Sequence, residues 1–183
     1  IYNTYCLDSE RCGVDWQLSA DEQEILSFTC RLIAFRQAHP IFSRHQWFFG
    51  REIHGSGVVD IGWFHPDGTT IEDPEWHDSS TAALSIFLNG AEIPNLASRG
   101  QRILDDSFLL FFNPSAKPLT FSIPETIETR KWRVLIDTSD SRGFVENGKT
   151  YNCDHTVPVA ARSLLVLECP YCFNATSSDS NDS

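Results

Sequence analysis

The chain changes its hydrophobic period once, and that change limits the folds it can adopt. Before Pro40, apolar residues recur at helical spacing. Ser19 and Glu22 stand in the spacing of a capping box, which favours a helix start at this point. Pro40 ends the pattern, because proline has no amide hydrogen to continue a helix. The sequence therefore predicts a single amphipathic helix over residues 20–38, in which Cys30 is a buried free thiol.

After Pro40 the apolar residues come in short runs, separated by turn signals such as Pro-Asp-Gly and Asn-Gly. This rhythm is typical of antiparallel strands. The predicted strands are Gln46–Phe49, Val58–Phe64, Leu84–Leu88, Phe108–Phe112, Leu119–Ile123, Trp132–Ile136 and Ser163–Leu167. Two of these strands, Phe108–Phe112 and Leu119–Ile123, flank an Asn-Pro turn and are expected to pair as a hairpin. The predicted fold is mainly β, with one N-terminal helix followed by an antiparallel β-sandwich.

The charge balance excludes two classes of partner. The formal net charge is −11, from 14 basic and 25 acidic residues, so nucleic acid and anionic membranes are poor electrostatic matches. No apolar run reaches the length of about 18 residues that a membrane span needs. The start of the chain lacks the features of a signal peptide, so we expect a cytoplasmic location. It also lacks an initiator Met, which favours a fragment of a longer protein. The sequence carries no signal for an oligomeric state.

Two pairs of carboxylates could be considered for glycoside hydrolysis, which needs two acids about 5–10 Å apart across the scissile bond. Asp105 and Asp106 are adjacent and precede a strand, so their side chains point to opposite faces and cannot flank one bond. Asp137 and Asp140 follow a strand and are typical turn formers. We therefore predict no catalytic residue in this chain.

A sugar-binding surface is predicted at the start of the chain. Tyr5 and Trp16 accompany Asp8 and Asp15 there, and an aromatic face beside a carboxylate can stack on a sugar ring and accept its hydroxyl hydrogens. Packing within the protein is the alternative for these residues.

Trp76 lies in a polar connection, where a tryptophan either contacts ligand or packs on the sheet as a lid. Trp63 and Trp132 lie on predicted strands, which favours the core.

Metal binding is a weaker possibility. Cys169 and Cys172 have the spacing of a zinc knuckle, and Cys153 with His155 could supply two further ligands. A second Cys-x-x-Cys is missing, however, and the histidines show no metalloprotease spacing. We predict no metal site and no cofactor, and keep a zinc-bearing domain as an alternative.

One series of residues runs along most of the chain. It includes Asn3, Tyr5, Cys6, Asp8, Asp15-Trp16, Arg36-x-x-His39-Pro40, Asp60-Ile61-x-Trp63-Phe64-x-Pro66-Asp67-Gly68, Trp76-x-Asp78, Leu84-x-x-Phe87-Leu88-Asn89-Gly90 and Arg162–Leu167. Together these residues resemble the C-terminal part of bacterial glycogen debranching enzymes of the isoamylase type, in glycoside hydrolase family 13. The resemblance runs from Asn3 to about Glu168, and its most specific part is the helix and the stretch that follows it up to Pro-Asp-Gly.

The resemblance implies a domain organisation. Residues 1–40 correspond to the end of a (β/α)8 catalytic barrel, residues 41–170 to the C-terminal β-sandwich, and residues 171–183 to a disordered tail. The family hydrolyses α-1,6 branch linkages in glycogen or limit dextrins with carboxylates on barrel loops, which would lie before Ile1. The opening segment departs from the family: Leu7-Asp8-Ser9 replaces Gln-Asp-Asn, and Gly13 replaces a tryptophan.

Two functions follow from these observations. The first is the C-terminal region of a glycogen debranching hydrolase that meets its branched α-glucan substrate through the missing barrel; helix 20–38 would then present an apolar face to that barrel. The second is a non-catalytic module that binds glucan or serves a structural role.

Overall fold

The computed structural model describes residues 16–55, 57–77, 83–127, 131–152 and 155–171. Helix α1 spans Ala20–Ala38, the predicted range, but the prediction that it is amphipathic is wrong, because its apolar side chains are spread around the helix. Its capping box is present: the Ser19 hydroxyl accepts a hydrogen bond from the Glu22 amide, and the Ser19 amide donates to the Glu22 carboxylate at 2.8 Å. None of the helices in the described part of the chain combines the length and apolar character that a membrane crossing requires.

The remaining architecture is an antiparallel sandwich, which confirms the predicted fold class. The strands are β1 (Ile61–Phe64), β2 (Leu84–Leu88), β3 (Ser107–Asn113), β4 (Leu119–Ser122), β5 (Trp132–Asp137), β6 (Thr150–Tyr151), β7 (Thr156–Val159) and β8 (Ser163–Cys169). Six of them form one sheet in the order β1-β2-β3-β8-β5-β6, and β4 pairs with β7 in a second sheet. Single turns of 3-10 helix lie at Pro40–Phe42, Asp73–His77 and Glu125–Ile127.

The predicted hairpin between β3 and β4 is wrong. Strand β3 pairs with β2 and β8, whereas β4 crosses to the second sheet and pairs with β7. The Asn113 side-chain amide holds this crossing, because it donates to the carbonyl oxygens of Lys117, Val159 and Ala160 at 2.8–3.3 Å. The turn signal between β3 and β4 therefore marks a change from one sheet to the other. The sequence does not predict β7, the partner of β4, because Pro158 interrupts its short apolar pattern.

The predicted strand at Gln46–Phe49 is also wrong. This segment forms a loop around the buried carboxylate of Asp60, which accepts hydrogen bonds from the amides of Phe49 and Gly50 and from the guanidinium of Arg44 at 2.8–3.1 Å. Arg44 donates in turn to the carbonyl oxygens of Gln46 and Trp47. The side chains of Asp60 and Arg44 form hydrogen bonds with the backbone amides and carbonyls of this loop, so these groups do not pair with a neighbouring strand.

The main core fills the space between the two sheets. Trp132, predicted to be a core residue, is fully buried there and meets Phe87 edge-on with ring centroids 6.1 Å apart. Phe111 of the large sheet packs against Phe121 of the small sheet at 5.0 Å. These aromatic contacts join the layers, since each large ring removes a wide apolar area from water.

Helix α1 lies against the opposite face of the large sheet, where a second apolar cluster forms. Phe35 meets Phe108 of β3 edge-on at 5.5 Å, and Phe28 packs on Phe144 at 5.8 Å. No side chain of the helix is fully buried, however. Cys30 is exposed, which contradicts the prediction of a buried thiol. It lies two residues beyond Phe28, and that offset turns it away from the sheet.

Gly143 permits the close approach of helix and loop, and its replacement tests this contact. A Cβ atom at Gly143 would overlap the Phe28 ring, whereas Gly100 has a similar positive φ and nothing within 4 Å. We expect Gly100→Ala to lower the free energy of unfolding by about 1 kcal/mol from backbone strain. Gly143→Ala should lower it by about 1–3 kcal/mol more, since the helix must shift. Urea denaturation measures both, and equal losses would contradict the packing described here.

Candidate functional site

The predicted sugar-binding residues are only partly within the described structure. Tyr5, Asp8 and Asp15 lie outside the described residues, so their grouping stays a prediction. Trp16 is described, and its side chain is 86% exposed. An indole this exposed is available to a ligand or to a further part of a protein.

Trp76 packs edge-on against Trp63, with ring centroids 5.3 Å apart, and remains 47% exposed. The turn that carries Trp76 is pinned by Glu75, whose carboxylate accepts hydrogen bonds from the Glu72 amide at 2.7 Å and meets the His65 ring nitrogen at 3.1 Å. Trp63 is half-buried on the face of the large sheet that points away from the sandwich core, so its assignment to the core is wrong.

That face of the large sheet, called the outer face below, is apolar across β1, β2, β3 and most of β8. Its side chains come from the alternate positions of β1, β2, β3 and β8 that point away from the second sheet. They are Ile61, Trp63, Leu84, Ile86, Leu88, Phe108, Leu110, Phe112, Leu164 and Val166. A sheet with one solvated face alternates apolar and polar residues, whereas these strands are apolar on both faces.

Only one end of the outer face is covered in the described part of the chain. Ile41 and Phe108 are buried beneath the end of α1 and the turn that follows it. At the other end, Leu84, Phe112 and Leu164 are half-buried and line an open groove of about 690 Å³. A second groove, of about 470 Å³, runs between α1 and the sheet beside Leu110 and Leu164.

Exposed aliphatic side chains of α1 extend this apolar surface. Leu26 and Ile33 lie on its outward side, whereas Ile25 and Leu32 are exposed beside the grooves between α1 and the sandwich. Single exposed aliphatic residues are common on protein surfaces, but a continuous patch of this kind marks an interface. The outer face and the outward side of α1 together are the candidate functional site, and its chemistry is that of a docking surface.

The sequence contained a signal for this surface that the strand prediction did not use. Residues 108–112 and 163–167 are nearly continuous apolar runs without a polar residue at every second position. Such runs are typical of strands buried on both faces. They predict a sheet that lies between two layers, and the second layer is only partly present in the described structure.

The Arg-x-x-His-Pro sequence fixes α1 to the large sheet. The His39 ring nitrogen Nδ1 lies 2.7 Å from the Asp105 carboxylate, which also accepts a hydrogen bond from the Ile41 amide at 2.9 Å. The His39 ring packs edge-on against Phe108 at 5.0 Å. Asp106 instead accepts a hydrogen bond from the Tyr171 amide. The two adjacent carboxylates thus have different hydrogen-bond partners.

The other carboxylates considered for catalysis shape turns. Asp137 accepts hydrogen bonds from Ser139, and Asp140 from Arg142. Hydrogen bonds from Arg142, first from its backbone amide, lower the pKa of Asp140. Hydrogen bonds from Thr69 lower the pKa of Asp67, and hydrogen bonds from Ser19 lower the pKa of Glu22. A general acid needs a raised pKa, so these three groups are unsuited to that role.

The zinc-knuckle residues stay untested. Cys169 is buried at the end of β8, and His155 accepts a hydrogen bond from the Asn152 amide through its Nδ1. Cys153 and Cys172, which would complete the proposed set of ligands, lie outside the described residues.

Comparison with known proteins identifies the family of the sandwich. A family model described as "Isoamylase, C-terminal" matches residues 60–168. The chain belongs to the isoamylase C-terminal domain family. The match covers the whole sandwich from just before β1 to near the end of β8, and it confirms the resemblance found in the sequence.

Curated relatives are much longer than this chain. A "Glycogen operon protein GlgX homolog" of Mycobacterium tuberculosis is 36% identical over 166 residues, which are 90% of this chain and 23% of the relative. An "Isoamylase" of Pseudomonas amyloderamosa is 27% identical over 138 residues, or 75% of this chain and 16% of the relative. The chain thus spans less than a quarter of the length of the relatives it matches.

A solved structure shares the fold. The type I pullulanase from Bacillus subtilis strain 168, crystallised with maltose, superposes with a TM-score of 0.51 at 16% sequence identity. The superposition covers 86% of this chain and 17% of the pullulanase chain.

Neighbouring leucines on β8 test whether the outer face is open. Leu165 points into the core and is 4% exposed, whereas Leu164 points to the outer face and is half-buried. We expect Leu165→Ala to lower the free energy of unfolding of the 183-residue chain by about 2–5 kcal/mol. Leu164→Ala should lower it by less than about 1 kcal/mol, because water already reaches this residue. Denaturant titration of both variants checks this, and similar losses would mean that the outer face is covered.

Proposed function

We propose that this chain is the C-terminal region of a glycogen debranching enzyme that hydrolyses α-1,6 branch linkages in glycogen or limit dextrins. The observation that carries the proposal is the match of residues 60–168 to the isoamylase C-terminal family, together with relatives named for glycogen metabolism and isoamylase. In this proposal the catalytic carboxylates belong to a barrel that precedes the sandwich, and residues 1–40 are the end of that barrel.

The uncovered outer face supports the proposal on physical grounds. Burying apolar surface stabilises a protein by about 25 cal/mol per Å², so an apolar sheet face that stays in water forgoes a large stabilisation. A barrel placed beside α1 would cover Leu26 and Ile33 on the outward side of the helix. It would also reach the half-buried Leu84 and Leu164 of the sheet. The sandwich would then serve to cap and brace the last helix of the barrel.

The carboxylate geometry of the described residues agrees with a non-catalytic role. Asp105 binds His39 and the Ile41 amide, and Asp60 binds Arg44 and two amides. These acids are buried and satisfied by structural partners, so they stabilise the fold and do not face a substrate.

The first test is the activity of the isolated chain. We expect the purified 183-residue protein to release no linear chains from branched limit dextrin, because the proposed catalytic acids lie outside it. Reducing-end assays and chromatography of the products measure this, with a commercial isoamylase as the positive control. Detectable release of linear maltooligosaccharides would overturn the assignment of catalysis to a separate barrel.

The second candidate function is a glucan-binding module. The half-exposed Trp76, held edge-on against Trp63 by a pinned turn, favours it. An indole in a fixed position loses little conformational entropy when a sugar ring stacks on it. Trp16 and the residues Tyr5, Asp8 and Asp15 would form a second contact with glucan at the barrel edge.

Tryptophan substitutions test this second candidate. If the module binds glucan, maltoheptaose should bind the 183-residue chain with millimolar or tighter affinity, and Trp76→Ala should weaken it about tenfold through the loss of one stacking contact of roughly 1.4 kcal/mol. Trp47→Ala is the matched control, since Trp47 is 90% exposed on a different loop. Calorimetric titration that shows no binding, or equal weakening in both variants, would count against a site at Trp76.

A further inference from the structure

A cluster of potential metal ligands lies where α1 meets the end of the large sheet. One ring nitrogen of His39 and one carboxylate oxygen each of Asp106 and Glu168 lie within 4.8 Å of one another. The three residues come from the end of the helix, the start of β3 and the end of β8. Their separation in the sequence hides the cluster from any search for short metal-binding motifs.

The His39 ring is already oriented as a metal ligand requires. Its Nδ1 is 2.7 Å from Asp105, whose other oxygen is held by the Ile41 amide. Metal-bound histidines are generally held in this way, with one ring nitrogen donating to a carboxylate and the other binding the ion. With Nδ1 engaged by Asp105, Nε2 is the nitrogen left for a ligand bond.

The negative charge of the nearby carboxylates also favours binding of a cation. Asp105, Asp106 and Glu168 contribute three negative charges, and the side chains of Asp105 and Glu168 are less than 10% exposed. Among the ion pairs of the described residues, the one arginine that meets these acids is Arg133, at 2.6 Å from Glu168. With His39 neutral, as a metal-bound imidazole is, one positive charge against three leaves an excess of two negative charges. Buried charges in proteins are paired or bind metal ions, and a divalent cation matches this excess.

We propose that His39, Asp106 and Glu168 bind one divalent transition-metal ion of the zinc class. Zinc accepts imidazole nitrogen and carboxylate oxygen at about 2.0–2.2 Å, which places tetrahedral ligand atoms about 3.4 Å apart. The ligand atoms now lie up to 4.8 Å apart, so binding requires their side chains to move toward the ion. Water fills the fourth position. The ion has a structural role, because it joins the end of α1 to β3 and β8. This role does not depend on the proposed debranching function.

The site differs from the cysteine set considered in the sequence. That set uses Cys169, Cys172, Cys153 and His155, whereas the new site uses no sulfur. A mixed nitrogen and oxygen site favours zinc and its neighbours in the transition series over magnesium, because the imidazole ligand suits those ions. The difference in ligands makes the two sites separable by substitution.

Calorimetric titration of the chelator-treated 183-residue chain with Zn²⁺, in the presence of a reductant, tests the proposal. We expect one Zn²⁺ ion per chain at this site and a higher melting temperature with the ion bound. Asp106→Asn should weaken binding by about tenfold or more. The asparagine oxygen can still accept the hydrogen bond from the Tyr171 amide, so the variant should fold. Cys172→Ser is the control and should leave binding unchanged.

Binding that survives Asp106→Asn, or a chain that takes up no Zn²⁺, would overturn the proposal. In the second case a proton on His39 would satisfy the surrounding carboxylates. If circular dichroism shows that Asp106→Asn does not fold, Glu168→Gln provides the same comparison. Substitution with Co²⁺ adds a spectroscopic readout, since its visible absorption bands report nitrogen and oxygen ligation and should disappear in either variant.

Discussion

The large sheet is apolar on both of its faces, and this property determines how the other elements are arranged. Its inner face packs on β4 and β7 through residues such as Phe111 and Trp132. Its outer face carries Phe108 and Leu110 at the alternate positions. Both faces are apolar, so the sandwich alone leaves one of them without a partner. Helix α1 supplies part of that partner layer, and its C-terminal end must therefore be fixed firmly to the sheet.

Two polar contacts provide this fixation. Asp105 holds His39 and the Ile41 amide at the point where the helix ends, and Asp60 holds Arg44 and the loop that follows. Breaking a buried ion pair by removing one partner typically costs about 3–5 kcal/mol. The chain between α1 and β1 is thus ordered around two buried carboxylates rather than around regular secondary structure.

The sequence predicted the elements with strong local signals and missed those set by distant partners. The α1 boundaries followed from the capping box and Pro40, and β2 followed from a run of apolar residues bounded by a turn. The β3–β4 hairpin failed because Asn113 binds carbonyl groups from a strand more than 40 residues away. The cluster of His39, Asp106 and Glu168 likewise depends on strand order, which no local pattern contains. Trp63 was assigned to the core because a strand residue can be buried on either face.

Side-chain footprinting tests whether the outer face is covered in the native protein. The 183-residue chain and the native protein isolated from its source would be labelled with photogenerated carbenes and compared by mass spectrometry. We expect Leu84, Phe112 and Leu164 to be labelled several-fold less in the native protein, while exposed loop residues such as Arg99 are labelled equally. Equal labelling of the outer face in both samples would show that nothing covers it.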